Sequence, residues 1–387
     1  MKYNFDKIAN RRNSNSTKWN VKENALPMWI ADMDFETLPE VKQATINKAN
    51  IGAYGYTDIP ETYYQAVSMW WKKRHNFTFS KENIIFSTGV VAAISSIVRK
   101  ITTVGENILV QAPVYNIFYN SILNNGRNVI SNDLVYDNGM FHIDYEDLEN
   151  KLSNPQTTMM ILCNPHNPIG KVFTKEELTI IGKLCHKYNV TVVSDEIHCD
   201  FVKPGLNYIP FASCNEINKD ISITCIAPSK AFNLAGLQSA SVIVFNPLLK
   251  QRVYRGLNND EVAEPNFFAI EANIAAYTYG EEWINELNIY IQKNKDYFVE
   301  TLNKTIPNLK VIPSQATYLL FIDISYYFDN AKECCKYLEE SVNLILSEGS
   351  IYGGSGYKFV RINLATSKAN VTEALNRLNI AFTNLSK

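Results

Sequence analysis

From Asn83 onward the chain alternates short apolar runs with longer amphipathic segments, and this alternation limits the folds open to it. Ile84-Ile85-Phe86-Ser87-Thr88-Gly89 reads as a strand and its turn, and residues 90–101 as the helix launched from them. Residues 107–111, 128–132, 158–163, 190–194 and 221–226 share the strand character. Between them, Thr174-Lys175-Glu176-Glu177 has the form of a capping box, in which Thr174 and Glu177 satisfy each other's free amides. Strands interleaved with helices imply an α/β fold, with a mostly parallel central sheet sandwiched by helices on both faces. In such sheets ligands collect at the carboxyl ends of the strands.

A chain of 387 residues is long for a single core and implies two domains. The large domain is expected over 46–280. The amino-terminal 1–45 and the carboxyl-terminal 281–387 are expected to form a smaller α/β domain, opened by a long amphipathic helix near 283–303. Hydrophobic residues make up 46% and charged residues 20%, as in ordinary soluble globular proteins. The net charge of -2 is spread evenly along the chain, which argues against nucleic acid or an anionic membrane as a partner. With no signal-type start and no apolar run of bilayer length, a cytoplasmic protein is expected. The seven cysteines are scattered without CxxC or paired His/Cys spacing, so reduced packing residues are expected and no metal site.

Ahead of the alternating region, Leu26-Pro27-Met28-Trp29-Ile30-Ala31-Asp32-Met33-Asp34-Phe35 places two acids in an aromatic, apolar run. It reads equally as a half-buried strand with its carboxylates in water or as a segment lining a pocket. Residues 38–49 and 59–76 have helical spacing, each with a proline near its start, and the turn-rich Gly52-Ala53-Tyr54-Gly55-Tyr56-Thr57 lies between them.

Lys230 stands just past the strand 221–226, beyond Pro228, and its sequence neighbours supply no partner charge. It could be a plain loop charge; desolvated, it would become a nucleophile and base. Four other strand ends carry Gly89, Tyr115, Asn167 and Asp195. An amine that can condense with an aldehyde, an acid for a heteroaromatic nitrogen, a ring to stack and a helix start for a phosphate are the demands of pyridoxal 5'-phosphate (PLP). On that basis Asp195 would hold the pyridine nitrogen, Asn167 donate to the ring oxygen and Tyr115 stack, while the amides of Gly89, Val90 and Val91 would meet the phosphate.

Asn167-Pro168-Ile169-Gly170, Ser194-Asp195-Glu196-Ile197-His198, Ser229-Lys230 and Phe359-Val360-Arg361-Ile362-Asn363 resemble the fold-type I PLP enzymes of the class I/II aminotransferase superfamily. The segments 27–35, 195–198, 227–230 and 233–238 are similar to its MalY/PatB branch, the cystathionine β-lyases. The resemblance implies carbon–sulfur β-elimination from an amino acid thioether, giving a thiol, pyruvate and ammonia. It further implies a homodimer in which Tyr56 reaches the phosphate of the opposite subunit, and Arg361 as the clamp on the substrate α-carboxylate. Ala227 and Gln238 stand where many aminotransferases have serine and arginine, which shifts phosphate binding toward Ser229, Tyr56 and the helix amides. His198 occupies the place of a tyrosine that touches the ring oxygen in aspartate aminotransferases, and it reads either as a cofactor contact or as a core histidine. His166 reads as a loop residue, and His75, His142 and His186 as polar helix or loop positions without a role. An aminotransferase, or a ligand-binding regulator without catalysis, would fit the same scaffold.

Overall fold

The structure, a computed structural model, describes residues 2–385. Two helices precede the alternating region, α1 (Pro39–Ala49) and α2 (Glu61–His75). Pro39 takes the first position of α1 and Pro60 caps α2, where a missing amide and a fixed φ cost nothing. Seven strands follow: β1 (Ile84–Ser87), β2 (Asn107–Val110), β3 (Asn128–Ser131), β4 (Thr157–Cys163), β5 (Thr191–Asp195), β6 (Ser222–Ile226) and β7 (Ala240–Val244). They form one sheet in the order β1-β7-β6-β5-β4-β2-β3. Neighbours from β6 across to β3 are parallel, whereas β7 runs antiparallel to both β6 and β1.

Parallel neighbours need crossovers, and helices supply them on both faces. On one face α3 (Val90–Ile101) buries Val90, Ala93, Ile94 and Ile97, a helical repeat, against Ile161, Val193 and Ile223. On the other, α4 (Lys175–Lys187) lays Leu178, Ile181 and Cys185 against Met160, Leu162 and Val192. Successive strand residues therefore belong to different cores, and for this reason the central strands read as continuous apolar runs. The expected capping box starts α4: Glu177 N–H donates to Thr174 Oγ1 at 3.2 Å and Thr174 N–H to Glu177 Oε2 at 2.8 Å.

A second sheet lies toward the carboxyl end, in the order β8-β9-β11-β10, from β8 (Lys310–Val311), β9 (Leu319–Asp323), β10 (Ser347–Glu348) and β11 (Phe359–Asn363), all antiparallel. The long helix α5 (Glu281–Thr305) reaches it from the larger sheet. Its Trp283, Ile284, Leu287 and Ile291 join the core beneath α2, and its Phe298 and Leu302 join the core of the second sheet. Leu26–Pro27 pairs in parallel with Leu344–Ile345, and Leu26 and Met28 are buried in that second core. Phe5 and Phe35, by contrast, are buried with Trp283 in the first. The amino-terminal segment thus touches both cores.

Candidate active site

Cys163 at the end of β4, Asp195 at the end of β5 and Cys225 in β6 are register partners, so the carboxyl ends of the central strands are level. Above them opens a cavity of about 680 Å³. Asp195 is buried, its Oδ1 accepts the Ile197 amide at 3.1 Å, and it forms no ion pair among the described residues. Burial raises its carboxyl to about 7, against the opposing pull of the Ile197 amide and Lys230. Lys230 lies in a single helical turn, Pro228–Ala231, begun by Pro228. Its Nζ donates to the Ala31 carbonyl at 2.7 Å. Burial lowers this amine to about 8; Asp32 and Asp195 counteract that, and Arg361 adds to it. The sequence neighbourhood held no charge for Lys230, but the fold brings two carboxylates and a guanidinium to it from far along the chain.

The remaining residues singled out from the sequence gather on the same cavity, with one exception. Gly89 caps α3, and the amides of Val90 and Val91 belong to the first turn, where no intrahelical acceptor exists. A Cβ built on Gly89 would meet no heavy atom within 4 Å, so the space over that helix start is open. Tyr115 faces the cavity, its ring edge-on to Phe118 at 5.6 Å, and burial raises its phenol to about 12. Asn167, His198 and Ser229 also line the cavity. The His198 Nδ1 is buried without a partner, and burial, with the charges of Lys230 and Arg361, pushes the imidazole down to about 3, so the ring is neutral. Arg361, on β11, donates from Nη1 to Asn167 Oδ1 at 3.1 Å and from Nη2 to the Trp29 carbonyl at 2.9 Å, while its Nε has no partner. Tyr56 is the exception: it is fully exposed and lies outside the cavity of its own chain.

Of the two sequence readings of the run 26–35, strand is found only at Leu26–Pro27, while the residues after it supply cavity lining. Trp29, Ile30 and Ala31 line the cavity. The carboxylates do not point to water: Asp34 is buried and pairs with the buried Lys18 at 2.9 Å, and Asp32 pairs with Arg11 at 2.6 Å. The run is held from both sides. Asn363 Nδ2 donates to the Ile30 and Asp32 carbonyls, both at 2.6 Å, and Asn233 Nδ2 to those of Met33 and Phe35, both at 2.9 Å. One histidine differs from expectation: His142 lies in a short strand, Met140–His142. His75 lies in α2, within the expected helix or loop, where it meets Asp200 Oδ1 at 3.2 Å, beside Arg74 at 2.8 Å. His166 is a buried loop residue whose Nε2 meets the Gln111 carbonyl at 3.1 Å.

Over residues 24–378 the chain matches the family model described as aminotransferase class I and II. The chain belongs to the class I and II aminotransferase family. It is 39% identical to cystathionine β-lyase PatB of Bacillus subtilis (strain 168), over 98% of this chain and 99% of that one. Among solved structures it superposes on cystalysin from Treponema denticola, which contains a PLP cofactor, with a TM-score of 0.96 and 30% identity over 100% of both chains. The PLP-bound C–S lyase from Staphylococcus hominis matches at a TM-score of 0.92 and 32% identity, over 98% of each chain. The family and the fold class expected from the sequence are both found.

In this class I and II aminotransferase family member the residues at the strand ends suit a group with the charges of PLP. Among the described residues a buried carboxylate and a buried guanidinium each lack an ionic partner, and a neutral imidazole nitrogen and a guanidinium Nε lack any. Such groups are costly unless a ligand completes them. Together with the free helix start at Gly89 and the amine of Lys230, they match a protonatable ring, a phosphate, an aldehyde and a substrate carboxylate. Sequence reasoning missed the Ala31 carbonyl, which has no side-chain signature, and Tyr352, whose ring lies 5.0 Å from the Arg361 guanidinium.

Proposed function

We propose that the protein is a PLP-dependent C–S β-lyase that splits cystathionine or other cysteine thioethers into a thiol, pyruvate and ammonia. The observation that carries this is the convergence of Lys230 with the two uncompensated buried charges, Asp195 and Arg361, on one cavity. The full-length similarity to a cystathionine β-lyase supports cleavage over transfer. Bound PLP supplies an aldehyde that captures the substrate amine and a ring that accepts the electrons left at Cα.

The chain's own residues do the rest. Asp195 would keep the ring nitrogen protonated, Asn167 and His198 would meet the ring oxygen, and Tyr115 would stack on the ring. The amides of Gly89, Val90 and Val91, with Ser229, would hold the phosphate, as would Tyr56 of the opposite subunit in a homodimer. Arg361 grips the α-carboxylate through two parallel hydrogen bonds. Lys230 removes the α-proton, and its lowered basicity leaves a share of free amine at neutral pH. General base catalysis of this kind contributes roughly 10²- to 10⁴-fold. The Cβ–S bond then breaks with its electron pair leaving on sulfur as thiolate, and the unsaturated amino acid that is released takes up water to give pyruvate and ammonia. A large domain over 46–280 and a small one from 1–45 and 281–387 would put Arg361, in the second sheet, on the part that moves as substrate is enclosed, with α1 crossing the boundary at 46 and α5 packing into both cores. No described helix is long and apolar enough to cross a membrane, and a cytoplasmic home suits seven free cysteines.

The test is release of pyruvate and thiol from a panel of cysteine S-conjugates by the PLP-loaded protein, with Lys230→Ala as control. Turnover that disappears in the variant is expected. Parent protein with bound PLP and no pyruvate would sink the lyase. Stoichiometric conversion of the cofactor to its amine form by an amino acid alone would point to an aminotransferase instead.

A further inference from the structure

Where α5 passes from one core to the other it buries a lysine. Lys295 is 4% exposed and forms no ion pair among the described residues. Its amine donates to Ser314 Oγ at 2.8 Å, to the Thr317 carbonyl at 3.2 Å and to the Ala316 carbonyl at 3.4 Å. Three donors of an ammonium thus meet three oxygens of one turn. Burial pushes the amine down to about 7, with Asp296 and Lys203 as the nearby charges. A hydrophobe of the same length would fill this place without the cost of desolvating a cation.

The turn that Lys295 grips touches both loops carrying candidate cofactor residues. The Gly170 carbonyl, at the end of the loop with Asn167, accepts the amides of Gln315 at 2.8 Å and Ala316 at 2.9 Å. Gly170 comes so close that a Cβ on it would lie 2.2 Å from Ser314 Oγ, the atom that receives the shortest Lys295 bond. On the other side, Thr317 N–H donates to the Phe201 carbonyl at 2.7 Å and Lys203 N–H to the Gln315 carbonyl at 2.8 Å, which ties down the loop that follows Asp195 and His198. The next residue, Tyr318, donates its hydroxyl at 2.8 Å to the Ala31 carbonyl that also receives Lys230.

We propose that Lys295 is a positioning residue for the cofactor site: by fixing the turn 314–317 it sets the spacing between Asn167 on one loop and Asp195 and His198 on the other. It touches neither cofactor nor substrate, and its role rests on the PLP reading of the cavity given above. The experiment is Lys295→Met, compared with the parent in the visible absorption spectrum of bound PLP and in the dissociation constant for PLP added to the emptied protein. A displaced absorption maximum and an affinity weaker by about tenfold are expected, the scale of losing hydrogen bonds from a charged group. Phe298→Leu, a core change three residues along the same helix, should leave both measurements at parental values.

Parental spectrum and affinity in Lys295→Met would overturn the proposal, and so would an equal change in Phe298→Leu. Should Lys295→Met not fold, Ser314→Ala removes the nearest acceptor and takes the same two measurements; about threefold weaker binding is expected, and no change overturns the proposal. Neither measurement needs turnover. A parent that binds no PLP would therefore defeat the cofactor reading, and a parent that binds PLP without releasing pyruvate would defeat the lyase reading, each separately from Lys295.

Discussion

An amine that titrates near 8 is unprotonated in roughly one molecule in ten at pH 7, and only that form can attack an aldehyde or take a proton from carbon. Because burial, the largest influence on Lys230, disfavours the ammonium, the rate at which emptied protein takes up PLP should rise with pH and level off above about 8. An exposed lysine would level off near 10.5. Asp32→Asn removes a charge that supports the ammonium, so the midpoint should move lower still; visible absorbance followed across pH reads both, and a parental midpoint near 10 would contradict the desolvated amine. Asp195 makes the complementary case. Asp195→Asn keeps the shape and the Ile197 contact but cannot balance a charged ring nitrogen. Breaking a buried pair costs about 3–5 kcal/mol, so kcat for pyruvate release should fall by roughly 10²- to 10⁴-fold while PLP still binds. A variant within threefold of the parent would remove Asp195 from its proposed place.

At the level of elements, the parallel strands were legible because each is a short, largely apolar run closed by a turn residue, and Gly89, Tyr115, Asn167, Asp195 and Lys230 were legible because each follows such a run; Arg361, inside a strand, and Tyr56, in a loop between helices, were legible only through the family resemblance. β7 escaped notice for a physical reason. Its start, Ala240-Ser241, is small and polar and follows Ser239, and the buried Ser241 hydroxyl is satisfied by the Tyr63 hydroxyl at 2.8 Å, a contact across 178 positions. The charges around Lys230 were illegible for a similar reason, since Asp32 and Arg361 reach it only through the fold. Asn233 shows how the Lys230 loop is fastened to the amino-terminal run. It sits at φ +57° and exchanges three hydrogen bonds with Met33 and Phe35, accepting from the Met33 amide at 3.2 Å besides the two it donates. Asn233→Ala should destabilise the protein by about 2–4 kcal/mol, from those bonds and the left-handed backbone. Asn233→Gly should recover about 1 kcal/mol of that; urea unfolding of the pair measures the split, and equal midpoints would leave the backbone without a part in it.

At the scale of the whole molecule, the exposed loop around Tyr56 matters most. Tyr54 packs on Phe267 and Phe268 at 5.4 and 5.6 Å, leaving an aromatic ledge on the surface, and Tyr56 projects from it with no contact to its own cavity. If Tyr56 completes a partner's site, two inactive variants should rescue each other: Tyr56→Ala and Lys230→Ala, unfolded and refolded together in equal amounts, should regain about one quarter of native sites, since half the random dimers carry one intact site. No gain over the separate variants would show that Tyr56 does not act across subunits. The clamping of residues 29–32 by Arg361 and Asn363 has a consequence for synthesis. The first thirty residues leave the ribosome long before the strand that secures them, at about 5–20 residues per second. For all that time the Lys230 amine has no settled neighbour at Ala31, and a nascent chain cannot present a finished cofactor site until its last hundred residues have folded back onto its beginning.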